Sequence, residues 1–452
     1  MALKESNRCK VGLALYDFDW VLSTGTQTIA WELVRNIINL EQSVIEYRVL
    51  LRHDIQPERI GLPPVICLNS PVPPPDDFRL KKKIKRRLPV ILRKKIDTIG
   101  GTLGFLPKLE YVGRPWLKNW LRSLDLDLLY YPTVWLQELI LDIPIVAQLY
   151  DMQHIYYPQF WKHDKFQRHT IFNWYRKHAC LITCNFDFVA EDIKRYLKVP
   201  QENVATIFLA PPVVPAIDNA HIRTTKDKFN LPEHYFIYPA ATWPHKNHIN
   251  LVRAIARCVS LGLEIFCVCP GEHAEWLYPG QFLKIQEEIR KCNVEKNIYF
   301  LGNVPHKESY ALIQQADFVC VPSLYEGGCY TIWEAFCLGK AVAASDVTMI
   351  PYQVRDVGLL FNPRDPTDIA KAIELLYKDQ KLRDYLGDKA RRLLDGSCYS
   401  PEKTPLGYHR AFVNSLVRLG KLSREFWIED DPAPALDRGP RPPRFEWREL
   451  LK

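Results

Sequence analysis

The stretch FVCVPSLYEGGCYTIWEAFCLGKAVAASD, residues Phe318–Asp346, contains two short apolar runs separated by a glycine loop and an amphipathic segment. The runs FVCVPS and KAVAASD are typical of buried strands, and TIWEAFCLG is typical of a helix that ends at Gly339. A strand, a helix and a second strand in this order predict a parallel βαβ unit, with the loop Ser323–Cys329 at the carboxyl end of its first strand.

The same alternation of strand and helix patterns continues on both sides of this unit. In the second half of the chain, the strand-like runs YFIYPA, EIFCVCP and NIYFLG alternate with helical segments such as HINLVRAIARCVSLG and KESYALIQQA. In the first half, the strand-like runs are KVGLALYDFD, DLLYYPT, PIVAQLY, ACLITCN and VATIFLA. The chain of 452 residues is too long for one ordinary core. The sequence therefore predicts an α/β protein with two Rossmann-like lobes that face each other across a cleft.

Proline-rich stretches suggest where the lobes begin and end. The prolines of APPVVPAIDNA, residues 210–220, interrupt both periodicities, so we place the domain boundary there. The predicted domains are residues 1–212 and 213–399. The segment Pro63–Asp77 is predicted to be a surface loop, and residues 430–452 a disordered Pro-rich tail.

The composition indicates a globular protein, since 47% of the residues are hydrophobic. No apolar run has the length of a membrane span and the start MALKESNRCK is polar, so we expect a cytoplasmic protein. The twelve cysteines lack zinc-site spacing and are predicted to be free thiols in a reducing compartment.

The positive charge is concentrated in one segment. The net charge is +8, and Lys81–Lys95 (KKKIKRRLPVILRKK) holds nine Lys or Arg residues among five apolar ones. This run could be a solvated surface segment, an attachment to anionic lipid, or, with least support, a nucleic-acid contact. An interfacial helix would suit the apolar residues, although Pro89 would interrupt it.

The loop of the opening stretch has the properties of an anion site. Gly327 and Gly328 let the backbone approach a ligand, and the first amides of the following helix favour a group such as diphosphate. Glu326 could accept hydrogen bonds from hydroxyls on one side of the anion, and Glu334 from hydroxyls on the other. This pattern suits a nucleotide sugar. A loop with a surface Glu before an ordinary helix is the alternative.

A second loop strengthens the prediction of a diphosphate site. In YPAATWPHKNHINL, residues Tyr238–Leu251, Lys246 lies between a strand and a helix, where it could reach the same diphosphate as a point charge. A lysine at such a position is often only a solvated residue. Its coincidence with the two glutamates is what supports a role in binding.

Short motifs suggest two other kinds of site, one for a metal and one for a dinucleotide. Asp17–Asp19 and Asp125–Asp127 match the Asp-x-Asp pattern that holds a divalent metal on a diphosphate, although such tripeptides also occur by chance. GGTLG, residues Gly100–Gly104, is similar to a dinucleotide loop, but it follows a basic stretch instead of a strand, so we interpret it as a turn.

These residues resemble the retaining glycosyltransferases of family 4, which have the GT-B fold. The segment Pro322–Ile373, with two glutamates separated by seven residues and then GLLFNPRDP, is similar to the signature of that family. YPAATWPHKNHINLVRAI looks like its donor-phosphate loop, and YDMQHIYYPQFW, Tyr150–Trp161, is similar to a first-lobe segment of a bacterial branch. The resemblance extends to about residue 420 and implies that residues 400–429 form a crossover helix that returns to the first lobe.

The resemblance also implies roles for individual residues. Glu326 would face the donor sugar, Glu334 would bind the ribose, and Lys246 would neutralise the leaving diphosphate. The catalytic residues implied are Lys246, Glu326, Asp151 and His154, and the donor-binding residues are Lys246, Glu326, Gly327, Gly328, Cys329, Tyr330, Thr331, Glu334 and Gly25. The backbone amides of Gly328–Thr331 would assist Lys246.

The sequence departs from the family pattern at three places. Ala241 replaces a common Arg, Tyr150–Asp151 replaces a His-Asp pair so that His154 is the nearest imidazole, and Gly25 is the one glycine in a loop that usually has more.

The resemblance implies transfer of a sugar, with retention of configuration, from a nucleotide-diphosphate sugar to a glycan or lipid-linked glycan in polysaccharide or glycoconjugate biosynthesis. No cofactor and no nucleic-acid partner are expected. No metal is expected either, because Lys246 and helix amides would supply the positive charge beside the diphosphate. Lys81–Lys95 would hold the protein at the inner face of a membrane. The alternatives are a non-catalytic nucleotide-sugar-binding protein and a metal-dependent Asp-x-Asp glycosyltransferase.

Overall fold

A computed structural model describes residues 8–15, 25–40, 44–71, 115–132, 141–161, 165–273, 275, 278–396 and 399–429. The predictions made for Lys81–Lys95, Gly100–Gly104, Asp17–Asp19 and residues 430–452 lie outside these residues. Among the described residues, no helix combines the length and the apolar character that crossing a bilayer requires.

The described chain forms two compact units. The first contains the residues up to His154, then Trp161–Phe208, and finally the residues from Thr404 onward. The second contains Leu209–Lys403 together with the short segment Ile155–Phe160. The chain therefore passes from the first unit to the second close to the proline stretch and returns near its C-terminal end.

The first unit is built on a parallel sheet whose order is β3-β2-β1-β4-β5-β6-β7 among the described strands. Its strands are β1 Cys9–Ala14, β2 Ile45–Leu51, β3 Cys67–Asn69, β4 Leu128–Tyr131, β5 Ile145–Gln148, β6 Ala179–Cys184 and β7 Val204–Thr206. The order reverses between β1 and β4, as in a doubly wound sheet with a topological switch point.

The second unit has its own parallel sheet, with the order β10-β9-β8-β11-β12-β13 among the described strands. Its strands are β8 Phe236–Ile237, β9 Cys267–Pro270, β10 Ile298–Gly302, β11 Val319–Val321, β12 Val342–Ser345 and β13 Leu359–Phe361. The central strands β8 and β11 are neighbours, with Ile237 opposite Val319. The loops that follow these two strands therefore leave the sheet side by side.

Helices connect the strands in both units, as parallel pairing requires. The described helices are α1 Gly25–Ile38, α2 Pro115–Ser123, α3 Gln153–Tyr156, α4 Lys165–His178, α5 Asp187–Asp192, α6 Asn219–Lys228, α7 His248–Ser260, α8 Gln281–Cys292, α9 His306–Gln315, α10 Tyr330–Cys337, α11 Ile350–Val354, α12 Pro366–Lys378, α13 Gln380–Leu394 and α14 Lys403–Arg418. The predicted α/β class with two Rossmann-like lobes is confirmed.

The last helix, α14, completes the core of the first unit. Tyr408, Phe412 and Leu416 recur every four residues on one face of α14, and each is at most 1% exposed. They join the same apolar cluster as Val11 and Leu13 of β1. About 400 residues separate α14 from β1 in the chain. Their packing in one core confirms the expected return of a C-terminal helix to the first lobe.

Sequence patterns missed three strands, two of which have only three residues. β3 lies inside Pro63–Asp77, which was predicted to be an irregular loop, and β2 and β13 were not identified as strands. The prediction for Pro63–Asp77 was wrong at β3 because pairing with β2, at Val49–Cys67 and Leu51–Asn69, imposes an extended backbone on a run too short to show alternation.

Candidate functional site

Lys246 and Glu326 form an ion pair beside the centre of the second sheet. Lys246 ends a 3₁₀ turn, Pro244–Lys246, after β8, and Glu326 lies in the loop between β11 and α10. The Lys246 Nζ and Glu326 Oε1 atoms are 2.7 Å apart, and the two side chains are 22% and 8% exposed. Because Glu326 is nearly buried, this contact with the ammonium group compensates for lost hydration of its carboxyl.

Buried amide contacts fix the Lys246 loop against its neighbours. Asn247 has a left-handed backbone, with φ of 62°. Its side-chain amide donates to the carbonyl oxygens of Pro322 and Pro363, at 2.9 and 2.8 Å. The Leu324 amide in turn donates to the His245 carbonyl at 2.7 Å. The loops after β8, β11 and β13 are thereby held in one arrangement.

The hydroxyl of Tyr238 connects the two loops that carry the ion pair. Tyr238 is 1% exposed, and its hydroxyl donates to the Lys246 carbonyl at 3.0 Å. The Ser323 hydroxyl lies 3.0 Å from the Tyr238 hydroxyl oxygen and donates to it, since the single tyrosine proton is already used. Burial, and next the Glu326 charge, raise the pKa of Tyr238 well above its usual value.

Two side chains from the segment after β12 hold the glycine loop. The Thr348 hydroxyl accepts from the Glu326 amide at 3.1 Å and donates to the Glu326 carbonyl at 2.8 Å. The Gln353 side chain accepts from the Cys329 amide at 2.8 Å and donates to the Cys329 carbonyl at 3.1 Å. The Cys329 amide, one of the amides proposed to assist at the diphosphate, is therefore engaged within the protein.

Glu334 lies in α10, just beyond the glycine loop. Burial raises its pKa to about 7, although a hydrogen bond from Tyr310 acts in the opposite direction. Burial, and next the Glu326 charge, raise the pKa of the Cys329 thiol to about 12, while the Lys246 charge acts in the opposite direction. The charges of both loops therefore act on the residue that precedes α10.

A glycine after β9 allows a third loop to approach this region. A Cβ atom on Gly271 would lie 2.2 Å from the Ala240 carbonyl oxygen, and the φ of Gly271 is +151°. The Thr242 amide donates to the Glu272 carbonyl at 2.9 Å, and its hydroxyl donates to the His273 carbonyl at 2.6 Å. The close approach of the two backbones requires glycine at position 271.

Sequence reasoning missed the residues that support the site, namely Tyr238, Asn247, Gly271, Thr348 and Gln353. A glycine directly after a strand, in CPG, was the one local signal available for Gly271. The other four act through contacts with residues distant in the chain, and no spacing in the sequence indicates them.

The residues predicted in the first lobe have different surroundings. Asp151 accepts from both the Arg168 guanidinium, at 2.8 Å to each oxygen, and the Gln153 amide, at 2.8 Å. His154 is 1% exposed and its ring lies 5.0 Å from that of Phe172. Gly25 begins α1.

Asp125–Asp127 is the Asp-x-Asp tripeptide that the structure describes, and its two carboxylates contact residues of the first unit. Asp127 accepts from the Lys10 amide and the Lys421 ammonium, both at 2.9 Å, and Asp125 lies 3.4 Å from the Lys10 ammonium. The two carboxylates therefore bind lysines, and Asp125 has a left-handed backbone, with φ of 50°.

Comparison with known proteins finds a family whose pattern most of the second unit matches. Residues 222–393 match the family described as "Glycosyl transferases group 1". The "Serotype-specific mannosyltransferase WbdA" of Escherichia coli is 25% identical over 52% of this chain and 28% of its own length. The chain therefore spans less than a third of that relative.

Solved structures share the two-lobed fold. Sucrose-phosphate synthase from Thermosynechococcus elongatus has a TM-score of 0.66 at 17% identity, over 90% of this chain and 98% of the other. HepE from Anabaena in complex with UDP-glucose has a TM-score of 0.61 at 14% identity, over 91% and 100%. At these identities the likeness concerns the fold.

Proposed function

Because residues 222–393 match the family described as "Glycosyl transferases group 1", we propose that this chain transfers a sugar from a nucleotide-diphosphate sugar, with retention of anomeric configuration. The acceptor is a glycan or a lipid-linked glycan in polysaccharide or glycoconjugate biosynthesis. The second unit binds the donor at the carboxyl edge of its sheet, where ligands of open α/β sheets bind.

The ion pair between Lys246 and Glu326 is the observation that carries this proposal. It brings together, from two neighbouring strand ends, the cation that a diphosphate requires and a carboxylate that can accept hydrogen bonds from sugar hydroxyls. Glu334 follows the glycine pair, in α10, and we propose that it accepts hydrogen bonds from the ribose hydroxyls. A structural ion pair alone would not account for two glycines between these acids.

The proposed reaction breaks the bond between the anomeric carbon and a diphosphate oxygen and forms a bond from that carbon to the acceptor oxygen on the same face. The acceptor proton passes to the departing phosphate oxygen, so no protein nucleophile is needed. Negative charge develops on the diphosphate, and Lys246 stabilises it. Glu326 holds the sugar and opposes the positive charge that develops at the anomeric carbon.

The proposal includes independence from a divalent metal, with Lys246 and the amides at the start of α10 as the positive groups. The pairing of Asp125 and Asp127 with lysines supports this assignment over an Asp-x-Asp site there. Attachment to an anionic membrane through Lys81–Lys95 and catalytic roles for Asp151 and His154 stay predictions from the sequence.

Variants of the ion pair test the proposal. Purified protein is incubated with UDP-glucose and GDP-mannose, and the release of nucleoside diphosphate is followed with and without EDTA. We expect Lys246→Ala and Glu326→Ala each to reduce turnover at least about a hundredfold, the usual scale for one preorganised electrostatic partner. Lys378→Ala, which breaks the surface pair with Glu374, is the matched control and keeps full activity.

Each alternative has its own outcome in this experiment. Near-full activity of either ion-pair variant would contradict the site assignment. Loss of activity with EDTA, restored by manganese, would favour the metal-dependent alternative. Binding of a nucleotide sugar without turnover, detected by mass spectrometry of the purified protein, would identify a non-catalytic binding protein. The non-catalytic alternative is tested because Ala241 stands where many members of the family have an Arg.

A further inference from the structure

The short segment Ile155–Phe160 belongs to the second unit although the residues on both sides of it belong to the first. Within this segment, the Tyr157 ring stacks on Phe160, with 5.2 Å between the ring centroids. The Tyr156 ring packs on Tyr325 at 5.3 Å. Tyr325 is 1% exposed and directly precedes Glu326, so the segment covers the loop that carries the candidate sugar-binding carboxylate.

The Tyr157 hydroxyl has two polar partners in the second unit. It donates to the Leu324 carbonyl at 3.0 Å and accepts from the Arg364 guanidinium at 3.1 Å. Leu324 precedes Glu326 by two residues, and Arg364 lies in the loop after β13. The proton of this hydroxyl and one of its lone pairs are therefore used on loops at the carboxyl edge of the second sheet.

The backbone amide of Leu324 links this residue to the Lys246 loop. It donates to the His245 carbonyl at 2.7 Å, one residue before Lys246. Leu324 is therefore hydrogen-bonded through its carbonyl to Tyr157 and through its amide to the loop that carries Lys246. A shift of Leu324 would change the position of Glu326 relative to Lys246, whose charged atoms lie 2.7 Å apart.

From these contacts we infer that Tyr157 is a positioning residue, which sets Glu326 against the donor through the Leu324 carbonyl. The inference rests on the proposed function. Tyr157 is not a catalytic residue, because its hydroxyl is taken up by a backbone carbonyl and a guanidinium. We expect Tyr157 to affect the rate of the chemical step, because a small displacement of a positioned group has a large effect on that rate.

The test compares Tyr157→Phe with Tyr377→Phe. Tyr377 is a matched control, because its hydroxyl also donates to a backbone carbonyl, that of Glu264 at 2.9 Å, on elements that carry none of the site residues. With the donor that wild-type protein turns over, UDP-glucose or GDP-mannose, we expect Tyr157→Phe to lower kcat about tenfold. KM for the donor and the thermal unfolding midpoint should stay close to those of Tyr377→Phe.

Combination with Glu326→Ala separates positioning from an independent effect. If Tyr157 acts through Glu326, Tyr157→Phe has no further effect on turnover in the Glu326→Ala background. An unchanged kcat in Tyr157→Phe, or the same tenfold loss in both backgrounds, would overturn the inference. So would a loss of activity that follows the unfolding midpoint.

A second variant keeps the test valid if Tyr157→Phe folds poorly. Arg364→Met removes the other partner of the hydroxyl and should lower kcat in the same direction by about threefold. If Arg364→Met retains wild-type kcat while Tyr157→Phe does not fold, the inference is overturned. Wild-type protein that turns over neither donor contradicts the proposed function, whereas an active wild type with an unaffected Tyr157→Phe contradicts the positioning role alone.

Discussion

The two units have the same kind of sheet but use polar residues differently at the strand ends. In the second unit, Lys246 and Glu326 come from separate strand ends and meet each other. In the first unit, Asp151 pairs with Arg168 of α4, and His154 packs against Phe172 of the same helix. In the second unit two loops therefore converge on each other, whereas in the first unit the polar residues contact the helix packed beside them.

The difference follows from what surrounds each charged group. The ammonium group of Lys246 has partly exposed surroundings, and buried hydroxyls and amides hold the loops on both sides of it. The Arg168 side chain is 5% exposed and stacks on Trp161, with 4.2 Å from its central carbon to the ring centroid. Lys246 can therefore exchange its contact with Glu326 for a contact with a ligand. The side chain of Arg168 instead packs in the interior of the first unit.

The largest effect should come from removing α14, which would break the first unit and leave the residues of the second intact. A chain that ends at residue 399 lacks Tyr408, Phe412 and Leu416, each at most 1% exposed. Loss of one such side chain typically costs about 3 kcal/mol, so their joint loss exceeds the usual stability of a domain. We expect unfolding of the first unit, seen by circular dichroism, and no turnover.

A chain that ends at Glu429 is the control for this truncation, because it keeps every residue that the structure describes. It should retain the activity and the thermal unfolding midpoint of the full chain. If the chain that ends at residue 399 stays folded and active, then α14 is not part of the essential core of the first unit.

A smaller effect is expected from Arg168→Met, which tests whether Asp151 is structural or catalytic. Removing one partner of a nearly buried ion pair should lower the free energy of unfolding by about 3 kcal/mol, measured in urea. Lys378→Met, which breaks a surface pair, should lower it by at most about 0.5 kcal/mol. If Asp151→Asn instead lowers kcat and leaves the free energy of unfolding unchanged, the catalytic role predicted from the sequence gains support.

The smallest effect concerns Glu334, whose pKa of about 7 in the folded chain lies above its ordinary value of 4.5. Below pH 4.5 this carboxyl is protonated in both the folded and the unfolded chain, and its contribution to stability is fully present. Between about pH 4.5 and 7 the folded chain keeps a proton that the unfolded chain has lost, so the contribution falls as pH rises.

The expected loss is at most about 3 kcal/mol, because a pKa change of one corresponds to about 1.36 kcal/mol. The carboxyl of Glu334 is half-buried, so screening by solvent should make the measured loss of stability smaller than this. Urea unfolding of wild type and Glu334→Gln at pH 5 and pH 8 measures this loss. We expect a smaller decrease between the two pH values in Glu334→Gln than in wild type. Equal decreases would show that burial of Glu334 does not determine the pH dependence.

Much of the fold was predictable because strand and helix periodicities are local properties of the chain. Phe318–Asp346 predicted a strand, a helix and a strand, and the structure has β11, α10 and β12 there. The helix was expected to end at Gly339, which has a left-handed φ of 64°. Among the strands that were missed, β3 has three residues and becomes extended through pairing with a neighbour.

The sequence by itself determined the chemical types at the candidate site and the order in which they occur: a lysine after one strand, and two acids around a glycine pair after another. Only the tertiary structure decided that Lys246 and Glu326 meet, that Asp151 is held by Arg168, and that Tyr157 bonds to Leu324. The physical reason is distance along the chain. Periodicity depends on neighbouring residues, whereas these contacts join strands and loops that become neighbours only when the two sheets form.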